Sequence, residues 1–350
     1  MRQNQLDQIR NLQLQIEAME QEIEHLYAER KNLVRESESR MQDLLRTMDE
    51  PVSGAGHISE LDRILNARAE LPEKARVACQ GVEGSFSHQA ADQFFKEPDI
   101  QFFEQFEDVF QAVENGDVEF GILPIENSTA GSVIQVYDLM RKHNFYIIKD
   151  TKVLVRHNLL TAMECHLEDI TDVYSHPQAL SQCQEFLEQY PAIQVHEYSN
   201  TAAAAKFVAQ ERNTRMAAIA SEKCAQLYNL HLLQKDIQDV SGNATRFICI
   251  SKTPGFSASA NRISLCLTVP HKPGSLYHLL HKFALNNLNL CKLESRPYPK
   301  KKFEYLFYLD VEGRCDDFQV RWLLNDLNNQ LGYFKFLGSY DEKQAEVKEV

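Results

Sequence analysis

The sequence predicts an α/β protein with a helical segment before the α/β region and a small βαββαβ domain after it. Through the middle of the chain, β-type runs alternate with helical runs, which indicates strands connected by helices. Near the N-terminus, apolar residues recur three and four apart, and the last part of the chain has the βαββαβ order. We place the three parts at residues 1–74, 75–253 and 261–342.

Residues 1–48 have the spacing of one long helix. Their apolar residues form the seam of a coiled coil or helix bundle: Ile9, Leu12, Ile16, Met19, Ile23, Leu26 and Leu33. Two acidic residues and Pro51 end this helix, and a second, short helix starts near Ser59 and ends before Pro72. We therefore expect an α-helical N-terminal segment.

The α/β region begins near Lys74. Its β-type runs are short and separated by helical runs: RVACQG (76–81), FGILPI (120–125), FYIIKDTKVLV (145–155) and MAAIAS (216–221). This alternation favours a sheet of largely parallel strands. A polar linker, Ser251 to Asn261, leads to residues 262–340, whose order of strands and helices is that of a ferredoxin-like domain.

Charge and hydropathy exclude several classes of protein. The 350 residues carry a formal net charge of −13, which disfavours a nucleic-acid partner because phosphate binding needs a basic face. No run approaches the roughly 18 apolar residues of a membrane span, and the N-terminus lacks the apolar core of a secretory signal. We expect a cytoplasmic protein.

The eight cysteines are scattered, without CxxC pairs and without histidines at zinc spacing. Several lie inside apolar runs, as Cys249 and Cys266 do, which favours buried free thiols in a reducing compartment. We therefore expect a mechanism that uses no metal. We also expect no other cofactor.

Polar and small residues cluster where β-type runs end and helical runs begin. The clusters are residues 81–87, residues 124–132, residues 174–180, and residues 199–203 together with 243–247. Strand ends and helix starts are where α/β sheets bind ligands, and helix starts attract anions. An N-cap is the alternative for each single Ser or Thr. Together, the clusters indicate a shared polar cleft.

Five motifs lie in these clusters: Gly84-Ser85-Phe86-Ser87, Pro124-Ile125-Glu126-Asn127-Ser128 with Gly131, Ser175-His176-Pro177-Gln178-Ala179-Leu180 with Cys183, Thr201-Ala202 with Ala204-Ala205, and Asn243 with Thr245-Arg246-Phe247. In order and spacing they resemble the motifs of prephenate dehydratases. Two further motifs resemble the signatures of the ACT regulatory domain in that family: Lys272-Pro273-Gly274-Ser275-Leu276 and Glu294-Ser295-Arg296-Pro297. The resemblance covers residues 75–340.

The resemblance implies a catalytic domain of two subdomains, similar to periplasmic binding proteins, with the active site in the cleft between them. It also implies that prephenate is converted to phenylpyruvate, with loss of water and carbon dioxide, in the biosynthesis of L-phenylalanine. Because the ring becomes aromatic, the protein chiefly has to orient the substrate and assist the leaving hydroxyl.

Thr245 matches the threonine that the family uses for this step. A threonine hydroxyl is too weak an acid to protonate freely, so it must act as a hydrogen-bond donor or proton relay in a dry site. The resemblance assigns substrate binding to Ser85, Asn127, Ser128, Thr201, Ala202, Arg246 and Phe247. For Arg246, a structural salt bridge is an equal alternative. We expect a structural role for Glu126, because a carboxylate would repel a dianion, and His176 is either catalytic or a loop histidine.

In the last domain, the resemblance implies that L-phenylalanine binds as an allosteric effector. The implied binding residues are Gly274, Ser275, Leu276, Glu294, Ser295 and Arg296. A purely structural dimerisation module is the alternative. Members of the family form dimers or tetramers, and we expect a homodimer or homotetramer here.

Residues 26–34 are similar to the first helix of the chorismate mutase domain that is fused to many prephenate dehydratases. Arg30 would be a remnant of that active site, whereas Gln13 and Met41 stand where the family has an arginine and a lysine. We interpret residues 1–74 as a degenerate, dimerising, mutase-like segment. A bifunctional chorismate mutase/prephenate dehydratase, an arogenate dehydratase and a non-catalytic phenylalanine sensor are the alternatives.

Overall fold

The computed structural model describes residues 10, 13–23, 25–30, 32–33, 36, 59–298 and 304–341. The chain forms two compact units, Met1–Glu60 and Leu61–Val350. In the first unit, the described residues from 10 to 36 are helical. Five residues of the apolar seam are each at least 44 % exposed: Ile16, Met19, Ile23, Leu26 and Leu33. Ile9, Leu12 and the expected helix end before Pro51 lie outside the described residues.

The second unit starts at the second residue of helix α1 (Glu60–Asn66), which buries Leu61 and Leu65. A first subdomain follows, with strands β1 (Lys74–Gln80), β2 (Glu97–Phe103), β3 (Phe120–Asn127), β4 (Gly131–Ser132), β5 (Tyr146–Leu154) and β11 (Ala244–Ser251), and helices α2 (Phe86–Phe94), α3 (Phe106–Asn115) and α4 (Ile134–Met140). The strands lie in the order β5-β11-β3-β1-β2, and β4 pairs with β3.

A second subdomain is inserted between β5 and β11. It has strands β6 (Asn158–Thr161), β7 (Asp172–Ser175), β8 (Gln194–Glu197), β9 (Met216–Ala220) and β10 (His231–Gln234), and helices α5 (Pro177–Ser181), α6 (Gln184–Glu188), α7 (Thr201–Glu211) and α8 (Glu222–Tyr228). Its sheet has the order β10-β6-β9-β7-β8. All five residues of the central strand β9 are buried, and small residues of α7 pack in the same core.

Both sheets are mixed, so the expectation of largely parallel strands is only partly right. Pairing is parallel between β1 and each of β2 and β3, whereas β11 is antiparallel to both β3 and β5. The reason is the chain path. Strand β5 runs towards the second subdomain and β11 returns from it, so these neighbours must point in opposite directions. The expected α/β class with two subdomains is confirmed.

The C-terminal domain has the expected ferredoxin-like layout. It consists of β12 (Arg262–Thr268), α9 (Ser275–Leu285), β13 (Leu290–Pro297), β14 (Tyr305–Glu312), α10 (Phe318–Gln330) and β15 (Phe334–Tyr340). The strands are antiparallel and lie in the order β13-β14-β12-β15. Both helices contribute buried residues to the core of the domain, Leu279 and Phe283 from α9 and Leu323 and Leu327 from α10.

The sheet of the C-terminal domain continues into the sheet of the first subdomain. Strand β15 pairs in parallel with β5 where Gly338 faces Ile147. A Cβ atom on residue 338 would lie 1.9 Å from the carbonyl oxygen of Ile147, so only glycine permits this approach. Ten strands therefore form one sheet across the first subdomain and the C-terminal domain.

The polar linker before β12 is fixed by one aromatic residue. Phe256 is buried, and its backbone exchanges hydrogen bonds with the segment after α1, at Ala67 and Ala69. Its ring packs edge-on against Phe336 of β15. The linker is therefore part of the packed structure at this point. Among the described helices, none has both the length and the apolar character that a membrane crossing needs.

Candidate active site

A cavity of about 490 Å³ lies between the two subdomains of the α/β region. Val155 and His157, in the segment that leads from the first subdomain to the second, line this cavity. Five of the residues expected at the site line this cavity: Ser85, Asn127, Thr201, Thr245 and Phe247. They come from β3, β11 and the starts of α2 and α7, so the fold brings together motifs that are far apart in the sequence.

Asn127 and Thr245 face each other on the adjacent strands β3 and β11. The Nδ2 of Asn127 donates to the Oγ1 of Thr245 at 3.0 Å and to the Oδ1 of Asn243 at 2.8 Å. Its Oδ1 accepts from the backbone N–H groups of Thr129 and Ala130 and from the hydroxyl of Thr129. These partners leave only one orientation for the amide.

The hydroxyl proton of Thr245 is available to a bound molecule. Because its oxygen accepts from Asn127, the hydroxyl has to donate elsewhere, and within the described residues the structure shows no acceptor for it. Thr245 lines the cavity. The geometry therefore presents an oriented hydrogen-bond donor to the interior.

Helix α2 directs unpaired N–H groups at the cavity from the first subdomain. The Oγ of its N-cap, Ser85, accepts from the N–H of His88 at 3.3 Å. The N–H groups of the first two helical residues, Phe86 and Ser87, have no acceptor in the described part of the chain, as is usual at a helix start. Both residues line the cavity.

Helix α7 does the same from the second subdomain. The side chain of its N-cap, Asn200, accepts from Ala203 at 2.7 Å, which leaves the N–H groups of Thr201 and Ala202 unpaired among the described residues. Thr201 lines the cavity, whereas the side chain of Ala202 is fully buried in the helix core. Two helix starts, one in each subdomain, thus offer partial positive charge to an anion.

Two histidines line the cavity, and burial lowers the pKa of both from the usual 6.5. The Nδ1 of His176 accepts from the N–H of Gln178 and caps α5. This contact agrees with the loop-histidine alternative for His176 rather than the catalytic one. His157 is 2 % exposed, and its Nε2 lies 2.9 Å from the Oε1 of Gln182. Neutral His157 therefore donates from Nε2 to that oxygen.

Gln182 links the two subdomains across the cavity. Its Nε2 lies 3.4 Å from the Oγ1 of Thr129, whose hydroxyl donates to Asn127. A chain of hydrogen bonds thus runs from His157 through Gln182 and Thr129 to Asn127 and Thr245. Sequence reasoning missed His157 and Gln182. The position of Gln182 next to Cys183, in a motif that was recognised, was the available signal.

Ser128 and Arg246 do not line the cavity. The Oγ of Ser128 is bonded to Asn243 and to the backbone of Ala244, which ties β3 to the start of β11. Ser128 therefore stabilises the strand end that carries the cavity residue Asn127.

Arg246 is buried on the far side of β11, where it contacts the C-terminal domain. Its Nε lies 2.8 Å from Asp150, its Nη1 lies 2.6 Å from Asp310, and its Nη2 donates to the hydroxyl of Tyr340. Burial raises the pKa of the Asp150 carboxyl, although the guanidinium acts against this shift. These contacts agree with the salt-bridge alternative for Arg246, and they do not place its guanidinium at the cavity.

The residues expected to bind phenylalanine fall into two groups. Gly274 has a φ of 82° and forms the start of α9, followed by Ser275 and the partly buried Leu276. Glu294 accepts from the Oγ of Ser132 at 2.8 Å, and Arg296 pairs with Asp138 at 3.1 Å. In the described residues no hydrogen bond or ion pair joins the two groups.

The described residues contain no group of three His, Cys, Asp or Glu side chains that could hold a metal ion. All eight cysteines are free, and six of them are buried. Burial raises the pKa of the Cys183 thiol to about 12 and that of Cys315 to about 11, so these thiols stay protonated and unreactive.

A polar cavity between two α/β subdomains, with a threonine hydroxyl oriented by an asparagine amide, defines an enzyme that binds a small polar molecule in its interdomain cleft. The family model "PDT: Prephenate dehydratase" matches residues 77–255. The chain belongs to the prephenate dehydratase family.

Relatives and solved structures agree with this assignment. Arogenate dehydratase/prephenate dehydratase 2 of Arabidopsis thaliana is 39% identical over 76% of this chain and 73% of its own. The bifunctional chorismate mutase/prephenate dehydratase of Pseudomonas aeruginosa is 30% identical over 95% of this chain and 98% of its own. The structure of prephenate dehydratase from Arthrobacter aurescens in complex with L-Phe superposes with a TM-score of 0.70 at 26% identity, covering 76% of this chain and 90% of that one.

Proposed function

We propose that this chain converts prephenate to phenylpyruvate in the cavity between its subdomains, with Thr245 as the donor to the departing ring hydroxyl. One observation carries the proposal. The amide of Asn127 donates to the Oγ1 of Thr245 at 3.0 Å, which frees the threonine proton for the cavity. A fixed donor near the leaving oxygen stabilises the charge that develops there.

The reaction needs little more than orientation and this donor. When the ring hydroxyl departs and the ring carboxylate leaves as carbon dioxide, the electron pair of the broken C–C bond completes an aromatic ring. The hydroxyl leaves as water once it has gained a proton. Thr245 supplies or relays that proton, because its hydroxyl is the oriented donor in the cavity.

The two carboxylates of the substrate match the two helix starts. The unpaired N–H groups of Phe86 and Ser87 in one subdomain and of Thr201 and Ala202 in the other can each bind one carboxylate. Phe247 offers an apolar surface to the ring. Closure of the cleft around the substrate would exclude water and strengthen these contacts.

The test is to incubate the folded protein with prephenate and to follow phenylpyruvate by its absorbance in alkali. Arogenate is assayed in parallel, with phenylalanine as the measured product, since the two substrates differ only at the side-chain keto or amino group. We expect turnover of prephenate. No product from either substrate would favour the non-catalytic phenylalanine sensor.

L-phenylalanine is the proposed effector, bound in the C-terminal ACT domain. The complex of the Arthrobacter aurescens structure with L-Phe supports this, as does the resemblance of the motifs around Gly274 and around Glu294 to the family signatures. Titration calorimetry with L-phenylalanine, with D-phenylalanine as the control, tests the binding. Equal heats from the two enantiomers would count against a specific site.

The N-terminal segment is proposed to be a mutase-like dimerisation element. Similarity to the Pseudomonas aeruginosa bifunctional enzyme extends over 95% of this chain, and the apolar seam is exposed in the described residues. Retained chorismate mutase activity is the second candidate. An assay of chorismate consumption by the whole chain tests this activity. Light scattering of the whole chain tests the assembly, and we expect a homodimer or homotetramer. We place the enzyme in the cytoplasm.

A further inference from the structure

Lys292 reaches from the C-terminal domain to the edge of the cavity. It lies on the same face of β13 as Glu294 and Arg296, and its side chain is 12% exposed. Its Nζ pairs with the carboxylate of Glu126 at 2.8 Å and lies 3.1 Å from the Oγ of Ser132. The same Nζ is 5.5 Å from the centre of the Tyr137 ring, whose face attracts a cation.

One polar partner of Lys292, Ser132, belongs to the cavity wall, and the other, Glu126, lies one residue away from it along β3. The hydroxyl of Ser132 accepts from Lys292 and donates to Glu294, so two residues of β13 determine its orientation. A strand of the C-terminal domain thus holds the β3–β4 hairpin in place.

The charge of Lys292 bears on the binding of an anion. Among the described residues that line the cavity, none is a lysine or an arginine. Glu126 immediately precedes the cavity residue Asn127, so an unpaired carboxylate there would repel a substrate with two carboxylates over a short distance. Lys292 supplies the positive charge that offsets it.

We propose that Lys292 is a positioning residue of the dehydratase reaction, which neutralises Glu126 and orients Ser132 so that the cavity accepts a dianion. The inference rests on the proposed function, because it takes the substrate to be dianionic. It gives the C-terminal domain a part in substrate binding even when no effector is present. Displacement of β13 would remove the lysine and weaken binding of the substrate.

The experiment compares Lys292→Met with Lys335→Met in the full-length protein. Lys335 is a second lysine of the C-terminal domain that contacts the first subdomain, but it donates to backbone carbonyls of Met140 and His143, away from the cavity. We expect Lys292→Met to raise KM for prephenate by about fivefold to tenfold and to change kcat by less than about twofold. Lys335→Met should leave KM unchanged.

A second substitution separates charge from structure. Glu126→Gln removes the carboxylate that Lys292 neutralises, so the double variant Lys292→Met/Glu126→Gln should recover a KM within about twofold of the wild-type value. A merely structural role for Lys292 predicts no such recovery. An unchanged KM in Lys292→Met, or a double variant no better than the single one, would overturn the proposal.

Direct binding keeps the two proposals distinct. In the Thr245→Ala background, where prephenate should not be consumed, calorimetry measures the dissociation constant with and without Lys292→Met. We expect Lys292→Met to raise the dissociation constant by the same fivefold to tenfold, where tenfold corresponds to about 1.4 kcal/mol of binding free energy. If the wild-type chain turns over neither substrate, the proposed function fails, while equal dissociation constants in this pair would refute the role of Lys292 alone.

Discussion

The Nδ2 of Asn127 lies 3.0 Å from the Oγ1 of Thr245, on a pair of facing residues in two antiparallel strands. The relationship is directional, since the amide nitrogen can only donate and the hydroxyl oxygen must accept. Strand β11 is central in its sheet, so neither residue can shift without breaking backbone pairs on both sides. The sheet thereby holds the hydroxyl of Thr245 in one orientation.

Thr245→Val should abolish most of the turnover. Valine keeps the shape of threonine and removes only the hydroxyl, so we expect kcat for prephenate to fall by about 10²- to 10⁴-fold. Circular dichroism and the binding of L-phenylalanine should stay unchanged. Thr245→Ser, which keeps the hydroxyl, is the control and should retain part of the activity. Near-normal turnover in Thr245→Val would remove Thr245 from its proposed role.

Asn127→Asp tests the direction of the hydrogen bond. A carboxylate cannot donate to Thr245, so the threonine proton would turn towards residue 127 and away from the cavity, and the added charge would repel the substrate. We expect kcat/KM to fall by about 10²-fold or more, because a preorganised donor is lost. Steady-state kinetics together with thermal unfolding measure the change. Wild-type kcat/KM in a folded Asn127→Asp variant would contradict the assignment.

Arg246→Met should unfold the protein more easily. It leaves the carboxylates of Asp150 and Asp310 buried without their cation, which typically costs about 3–5 kcal/mol in the free energy of unfolding. Arg314→Met, which removes an exposed ion pair with Asp316, is the control and should change little. Urea unfolding measures both. A raised KM with unchanged stability in Arg246→Met would instead support substrate binding by Arg246.

His157 should make stability depend on pH. Burial lowers its pKa below the usual 6.5, so in the window just below 6.5 the unfolded chain binds a proton that the folded chain does not. The free energy of unfolding should therefore fall as the pH drops through that window. In His157→Gln, which keeps a donor for Gln182, the fall should be smaller. Urea unfolding at pH 7.5, 6.5, 6.0 and 5.5, roughly spanning this window, measures the difference. Parallel curves would refute the prediction.

Gly338→Ala should disrupt the pairing of β15 with β5, which joins the C-terminal domain to the first subdomain. Its Cβ would lie 1.9 Å from the carbonyl oxygen of Ile147, so β15 has to move away from β5. We expect a loss of at least about 3 kcal/mol in the free energy of unfolding, as for other severe backbone clashes. Gly332→Ala, where a Cβ would meet nothing within 4 Å, is the matched control and should be nearly neutral. Equal unfolding midpoints for the two variants would argue against the junction.

The sequence predicts the local features of the site well and the long-range ones poorly. Thr245 and Asn127 stand at strand ends within recognisable motifs, and Ser85 and Thr201 stand at helix starts, where residue type and position identify them. The partners of Arg246 could not be predicted, because Asp150 and Asp310 lie 96 and 64 residues away. His157 was missed because a single histidine beside an apolar run carries no signal of its partner.

The antiparallel direction of β11 was not predicted, for a related reason. Alternation of strands with helices indicates parallel pairing only while the chain stays in one sheet. Here the chain leaves β5 for a whole second subdomain before it returns as β11. The sequences of β5 and β11 themselves do not indicate that a subdomain is inserted between the two strands. The domain boundaries at residues 74–75 and 253–261 stay predictions.

The pairing of β15 with β5 limits how such an enzyme can be recombined. A regulatory domain that is joined to a catalytic domain only by a flexible linker can be exchanged for another, because neither domain loses contacts when they are separated. Here, removal of the C-terminal domain would leave strand β5 at an open edge of the sheet with free N–H and C=O groups, which invites aggregation. A foreign domain would have to bring a strand to that position and a glycine at the point that faces Ile147. Regulation and catalysis in this chain should therefore be inherited together.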